Sequence, residues 1–229
     1  MTEGCGWGVL SGGVNRGFRG SLVHQARAVE VLGGFLRHDL PPLRWQVEAD
    51  GSLLGESEDC KHERQLRAFL EPWAEFLEAP LVVERSFAHV RAKVEVRWDG
   101  IEIECGKWAP RRWLGVGGRP VEEAPPLTGE GAAAIRRRQL QAVRTLGTFL
   151  AEDLPALDWW LPYHGSRRVL QGEPDTGTEA AVRETFDRWG RFLGADVVEE
   201  RDSGSAFFTI NVKGGAFDVR VWEHLVLDA

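Results

Sequence analysis

The stretch from Ala28 to Trp45, AVEVLGGFLRHDLPPLRW, matches the stretch from Ala142 to Trp159, AVRTLGTFLAEDLPALDW, without a gap. More than half of the positions are identical, and they include the pattern FLxxDLPxLxW. Chance seldom produces so many identities in one ungapped block, and self-similarity of this kind is the signature of a repeated structural unit. The stretch therefore decides the fold, because both copies are expected to form the same unit.

A second pair of segments extends the similarity in each copy. WAEFLEAPLVVER, which begins at Trp73, matches WGRFLGADVVEER, which begins at Trp189. The strand pattern that follows each segment also aligns. We therefore predict a first repeat at 22–106 and a second repeat at 136–229.

Two regions lie outside the predicted repeats. Residues 1–21 are rich in glycine with isolated arginines and aromatics, which predicts a flexible N-terminal tail. Residues 107–135 are rich in proline and glycine, which predicts an extended linker between the repeats. The end of that linker, Ala132–Ile135, is expected to join the next helix.

Each copy carries two helical patterns. Apolar residues recur at helical spacing over Val23–His38 and Arg137–Glu152. The Asp-Leu-Pro that follows ends both helices, because proline disfavours helical backbone at the residue before it. A second apolar stripe covers Asp59–Leu77 and Thr176–Leu193, and it predicts an amphipathic helix in each copy.

Alternating side chains predict the strands. Val90, Ala92 and Val94 alternate with charged residues, and Asp99-Gly100 is a hairpin turn signal. The predicted fold class is α+β, with two tandem α-β-β-α-β-β-β repeats. We expect mainly antiparallel sheets with helices on one face and a pseudo-twofold arrangement of the repeats, because strands follow each helix in runs.

Composition limits the classes of function. Of the 229 residues, 43% are hydrophobic and 28% are charged, as in a folded globular protein, and the formal net charge is −7. An acidic chain argues against nucleic acid as the main ligand and is compatible with a basic protein partner. No apolar run is long enough to cross a membrane, and the N-terminal residues lack the features of a signal peptide. We therefore expect a cytoplasmic protein.

No motif predicts a metal or cofactor site. The three cysteines are Cys5, Cys60 and Cys105, an odd number at wide spacing, which is typical of free thiols. Cys60 and His62 lie close in sequence, but structural zinc needs four ligands in paired short motifs. We expect no metal and no cofactor, and we leave the catalytic residues unassigned.

Two residue types recur at equivalent positions of both copies. Asp39 and Asp153 could supply a pair of carboxylates for acid–base chemistry or for metal binding, although aspartate is also common where a helix ends in a turn. Trp45 with Trp159, and Trp73 with Trp189, favour shared core positions, because each ring buries a large apolar area. A ligand-stacking role for these rings is the weaker alternative.

The candidates for an interaction surface are aromatic and basic residues outside the repeated pattern. The segment Lys107–Trp113 interleaves the two types, which could stack on bases and hold phosphates or could fold back on the core. Trp160 and Tyr163 occur in the second copy alone and are predicted to be exposed. The interaction candidates are Trp108, Arg111, Arg112, Trp113, Trp160 and Tyr163.

The FLxxDLPxLxW block, the Trp-x-x-Phe-Leu helix end and the Val-Glu-Val-Arg-Trp-Asp-Gly hairpin resemble a family of small actinobacterial proteins of unknown function. Those proteins look like single copies of this unit. The resemblance covers both repeats, and it implies the fold of each one without implying an activity, a cofactor or a site residue.

Three functions are compatible with these patterns. The first is a non-enzymatic binding or adaptor protein with a protein partner, for example in toxin neutralisation or as an accessory of a mobile element. The second is a small-molecule-binding protein or enzyme with a site between the repeats, near the differing hairpins Glu48–Glu56 and Pro162–Glu173. A nucleic-acid-associated protein is the third. The chain is expected to be a monomer with pseudo-dimeric repeats or a homodimer.

Overall fold

The computed structural model describes residues 22–57, 60, 63–87, 89–110, 130–163, 168–174, 177–214 and 217–227. The N-terminal half contains α1 (Leu22–Phe35), β1 (Arg44–Val47), β2 (Leu53–Glu56), α2 (Glu63–Phe76), β3 (Leu81–Arg85), β4 (His89–Trp98) and β5 (Ile101–Pro110). The C-terminal half contains α3 (Glu130–Phe149), β6 (Leu157–Trp160), β7 (Val169–Pro174), α4 (Glu179–Leu193), β8 (Val198–Arg201), β9 (Ser205–Val212) and β10 (Asp218–Val226). These elements confirm the predicted α+β class.

A strand and a helix extend into the two ends of the stretch predicted as a linker, 107–135. Strand β5 continues to Pro110, because Lys107, Trp108 and Ala109 still pair with β4. Helix α3 begins at Glu130, earlier than the predicted Arg137, because the alanines that follow it are strong helix formers. The rest of this stretch, and the predicted tail at 1–21, lie outside the described residues.

The second helix of each half starts later than predicted. Helix α2 begins at Glu63, and α4 begins at Glu179. Thr178 caps α4 by accepting a hydrogen bond from the Ala181 amide at 3.3 Å. The side chain of a capping threonine replaces a hydrogen bond that the first helical turn lacks, which fixes the helix start at this residue.

All ten described strands form one sheet, in the order β3-β4-β5-β2-β1-β6-β7-β10-β9-β8. Strand β1 pairs antiparallel with β6 and joins the halves. The sheet is mainly antiparallel, with parallel pairing of β2 with β5 and of β7 with β10. The strands of both halves therefore share one continuous hydrogen-bonded frame.

The helices pack on one face of this sheet. In β4, Val90, Ala92 and Val94 are buried against α2, whereas Arg91 and Lys93 between them are partly exposed. The same alternation runs through β7, β9 and β10. Partly exposed side chains therefore line the opposite face, which is here called the open face.

The recurring tryptophans belong to the core, as predicted. Trp45, Trp73, Trp159 and Trp189 are all buried. The Trp73 indole donates to the Pro41 carbonyl at 2.9 Å, and the Trp189 indole donates to the Pro155 carbonyl at 3.0 Å. These rings fasten the second helix of each half to the turn after the first helix, so they are not available to stack on a ligand.

The junction of the halves is packed and hydrogen-bonded. Helix α1 packs on α3, and the Gln25 side chain donates across the junction to the Leu157 carbonyl at 2.6 Å. Gln139 donates in the reverse direction to the Leu43 carbonyl at 2.8 Å. The described contacts at this junction therefore include helix packing and two reciprocal hydrogen bonds. None of the described helices combines the length and apolar character needed to cross a membrane.

Candidate functional site

One row of side chains crosses the open face from strand to strand. Residues that are register partners on neighbouring strands point to the same face of a sheet. The pairings from β4 to β9 place eight side chains side by side in the order Glu95, Glu104, Leu54, Gln46, Trp160, Gln171, Arg220, Asn211. This central row runs perpendicular to the strands, with carboxylates toward one end and Arg220 toward the other.

A groove of about 730 Å³ lies on the N-terminal side of the row. Its charged lining residues are Glu48, Glu56, Glu95, Glu102, Glu104, Arg91, Arg97 and Lys107. Arg91 forms an ion pair with Glu104 and lies over the Trp108 ring, 5.6 Å from its centroid. Lys93 pairs with Glu95 at 2.7 Å. Carboxylates outnumber cations in the lining, so we call this cavity the acidic groove.

A second groove, of about 890 Å³, lies on the C-terminal side of the row. Its charged lining residues are Arg44, Lys213, Arg220 and Asp218, and we call it the basic groove. The Nε atom of Arg220 is buried and has no hydrogen-bond partner in the described chain. Asp218, the one carboxylate among the described lining residues, accepts a hydrogen bond from the Gly214 amide at 3.2 Å. The positive charge of Arg220 is therefore not neutralised by a partner among the described residues.

The middle of the row is neutral and has free hydrogen-bonding capacity. Gln46 and Gln171 are partly buried, and neither side-chain amide is hydrogen-bonded to another described residue. The partly buried ring of Trp160 lies between them and contacts no other aromatic ring of the described chain. A carboxamide both donates and accepts hydrogen bonds, so the two glutamines can bond a peptide backbone laid across them.

The structure brings two of the sequence candidates to this surface. Trp108 is 51% exposed and lines the acidic groove, and Trp160 lines the basic groove. Tyr163 is 3% exposed, and its hydroxyl donates to the Pro42 carbonyl at 3.2 Å, so the prediction of an exposed ring is wrong. Arg111, Arg112 and Trp113 lie outside the described residues.

Each recurring aspartate forms an ion pair with an arginine of a following helix. Asp39 pairs with Arg136 of α3, and Asp153 lies 3.5 Å from Arg188 of α4. Arg136 also donates to the Leu40 carbonyl, and Arg188 donates to the Asp153 carbonyl. These contacts fasten the turn after each first helix, which favours the structural interpretation over a catalytic pair.

Burial raises the pKa of two described side chains, Cys105 and Glu173. Cys60 and Cys105 are buried, and burial together with the nearby Glu104 carboxylate raises the pKa of the Cys105 thiol well above its usual range. Burial also raises the pKa of Glu173, which faces the open side of β7 beside Asp158. The described residues contain no cluster of three or more metal-ligating side chains. One carboxyl group with a raised pKa does not make a catalytic set without a nucleophile or a second acid–base group.

Comparisons with known proteins identify no family for the chain. No family model matches it, and no curated protein matches it. One similar solved structure is a mutant of 4-hydroxymandelate synthase from Streptomyces coelicolor, with 13% sequence identity and a TM-score of 0.19. The match covers 74% of this chain and 48% of the synthase chain, so the chain spans about half of that protein's length. A likeness of this degree carries no argument about fold or activity.

Proposed function

We propose that the chain is a tandem duplication with a pseudo-twofold arrangement, and that it acts as a non-enzymatic binding protein for a partner protein. Two observations support the duplication. The same order of helices and strands occurs twice along the chain, and the strand order read inward from β3 to β1 matches the order read inward from β8 to β6. Gln25 and Gln139, which occupy equivalent helix positions, donate across the junction in opposite directions. Reciprocal contacts of this kind are typical of an isologous interface.

The open face is the proposed binding surface, and the observation that carries this proposal is the central row with its two grooves. A sheet that buries one face against helices needs no grooves, unpaired cation or free amides on the other face for its own stability. The row and its grooves supply all three among the described residues, together with the exposed ring of Trp108 and the partly buried ring of Trp160. Aromatic and arginine side chains are the types enriched where proteins bind one another.

A protein partner fits this chemistry better than nucleic acid does. The acidic groove carries more carboxylates than cations, and the whole chain has a formal net charge of −7. A phosphate backbone would be repelled from half of the surface, because its binding requires displacement of counterions by a basic face. A protein can present both signs of charge and can therefore complement both grooves.

Affinity capture tests the proposal. The purified, tagged full chain is incubated with a lysate of its source organism, and the captured proteins are quantified by mass spectrometry. We expect one protein whose recovery falls at least about tenfold with Trp108→Ala and with Trp160→Ala, as loss of an aromatic anchor predicts. Phe87→Ala, which removes an exposed ring in the turn between β3 and β4, is the matched control and should leave recovery unchanged. Equal recovery by all variants would overturn the proposal.

A further inference from the structure

We infer that the partner presents a short extended segment along the central row, with a carboxylate side chain on Arg220 and a basic side chain at the acidic groove. This inference rests on the proposed function and specifies the chemistry of the partner. It follows from four features of the row. Within the described chain, Arg220 has no partner and the two glutamine amides form no hydrogen bond. Carboxylates lie at the opposite side, and the register gives the distance between the charges.

Arg220 is the anchor of the proposed segment. Its Nε is buried without a hydrogen-bond partner among the described residues, and Lys213, which forms no ion pair with another described residue, lines the same groove. A guanidinium group binds a carboxylate through two parallel hydrogen bonds, which gives both affinity and orientation. The basic groove therefore favours an aspartate or glutamate side chain.

The equivalent position in the N-terminal half carries the opposite charge. Val219 aligns with Ile103, so Arg220 corresponds to Glu104. Glu104 and Glu95 lie next to each other on β5 and β4, and both line the acidic groove. Each already pairs with a cation of the chain, so an incoming lysine or arginine adds to existing networks rather than neutralising a bare charge. The basic end of the segment is accordingly expected to contribute less affinity than the acidic end.

The middle of the row suits an extended backbone with an apolar side chain. Gln46 and Gln171 lie on either side of Trp160, and Leu54 follows Gln46 on the next strand. The two free carboxamides can bond backbone groups of the segment, while Leu54 and Trp160 can contact an apolar side chain. Both grooves are concave. An extended segment can fill them, whereas the open face of a second copy, which is concave at the same places, would leave them unfilled.

The register fixes the length of the segment. Glu104 on β5 and Arg220 on β10 are separated by five steps between neighbouring strands. Each step is about 4.8 Å, so the two charged groups are about 24 Å apart. An extended chain rises about 3.4 Å per residue, which gives about seven residues; because its side chains alternate between faces, the basic and acidic side chains that reach the sheet are about six or eight positions apart.

Dye-labelled synthetic peptides and fluorescence anisotropy test this inference on the full chain. The first probe has two lysines, a neutral spacer with a central leucine and two glutamates, with the charged centres about seven residues apart; the second has the reverse order. A third probe has the same composition with interleaved charges. We expect one of the two polarised peptides to bind at least about tenfold more tightly than the interleaved peptide, as expected when a charge-assisted hydrogen bond is gained.

Variants locate the charged ends. Arg220→Gln and Lys213→Gln should each weaken binding of the polarised peptide, Arg220→Gln by about tenfold. Lys213 is exposed, so its substitution does not disturb the fold. Arg144→Gln removes a charge from the exposed side of α3 and should leave binding unchanged.

The outcomes separate this inference from the proposed function. If all three peptides bind equally and Trp160→Ala weakens them all, the open face binds protein segments but the inferred charge polarity is overturned. If none binds more tightly than an uncharged Gly-Ser peptide, and capture depends on neither tryptophan, both proposals fail. A wild-type dimer in solution that Arg220→Glu dissociates would mean that a second copy covers the face, which also overturns the inferred segment.

Discussion

Gly55 and Gly172 lie directly beside the buried tryptophans of their own halves. A Cβ at Gly55 would lie 2.9 Å from the Trp45 ring, and one at Gly172 would lie 2.9 Å from the Trp159 ring. Both rings are fully buried, so neither has room to move aside. We expect Gly55→Ala and Gly172→Ala each to lower the free energy of unfolding by about 1–3 kcal/mol, as overpacking of a core does. Urea denaturation of the full chain measures this change.

Gly147 provides the matched control for these substitutions. It is exposed in α3, and a Cβ there would meet nothing within 4 Å. Alanine stabilises an exposed helix position relative to glycine, so Gly147→Ala should raise the free energy of unfolding by about 0.5–1 kcal/mol. A loss of stability at Gly147 equal to that at Gly55 would show that the tryptophan contacts are not the cause.

The contribution of Glu173 to stability changes with pH in the opposite direction to that of a carboxylate in an ion pair. Burial raises its pKa above the usual value of 4.5, so ionisation costs more in the folded state than in the unfolded state. Its contribution to stability is therefore greatest below pH 4.5 and is lost as pH rises through the raised pKa. Glu173→Gln should raise the free energy of unfolding at pH 7 and leave it almost unchanged at pH 4, which denaturation at the two pH values measures.

Glu56 is the control for Glu173, because the two occupy equivalent strand positions and differ in their partners. Glu56 forms an ion pair with Arg44, whereas Glu173 is hydrogen-bonded to no described residue. Glu56→Gln should therefore not stabilise the chain at pH 7. A fall in stability for Glu173→Gln at pH 7 would contradict the assignment of burial as the dominant effect.

The sequence predicted core residues better than surface residues. The four recurring tryptophans were placed in the core because their positions repeat with the helix and strand patterns. Tyr163 was expected to be exposed, but its hydroxyl reaches the Pro42 carbonyl in the other half. Local patterning cannot reveal a contact between residues so far apart in sequence. For the same reason the role of Arg220 became visible only when the strand register placed it in one row with Trp160.

At the level of elements, a polar contact ties the second helix to the next strand in each half. Glu63 of α2 binds Arg85 of β3 at 2.5 Å, and Glu179 of α4 binds Arg201 of β8. Arg67 and Arg183, one turn along their helices, bind the same glutamates. These charged positions recur in both halves, but sequence alone did not single them out, because glutamate and arginine are common on any exposed helix.

In the C-terminal half, Glu199 of β8 enlarges this contact into a network. Hydrogen bonds from Arg183 and then Arg201 lower the pKa of Glu199 to about 2. A carboxylate with a lowered pKa stabilises the fold above its usual value of 4.5, and this contribution is lost as pH falls through the folded pKa. Glu199→Gln should therefore lose less stability than the wild type between pH 4.5 and pH 2. Circular dichroism during an acid titration measures this difference.

The network is exposed, so salt should weaken its effect. Glu200→Gln is the control, because Glu200 is an exposed neighbour on the same strand without a partner among the described residues. An acid titration that is equally steep for the wild type and Glu199→Gln, and unaffected by salt, would exclude the network as the source of the pH dependence.

For the whole molecule, local patterns predicted the kinds of element and their order, whereas the joining of the strands required the structure. Strands β1 and β6 have four residues each, and their alternation does not specify which edge each will pair with. The pairing depends on contacts between the halves, namely the packing of α1 on α3 and the Gln25 and Gln139 hydrogen bonds. These contacts join the strands of both halves into one sheet, whose open face carries the central row.

A shared sheet and core predict that the two halves unfold together. Far-UV circular dichroism and tryptophan fluorescence should give coincident urea transitions, because neither half can lose its packing without exposing the other at the junction. Gln25→Leu and Gln139→Leu should each lower the free energy of unfolding by about 1–3 kcal/mol, since each leaves a buried carbonyl without its donor. The unfolding transitions that the two probes report should also coincide in both variants. Two separated transitions in the wild type would mean that the halves are independent domains, and the central row would then have no fixed geometry with which to select a partner.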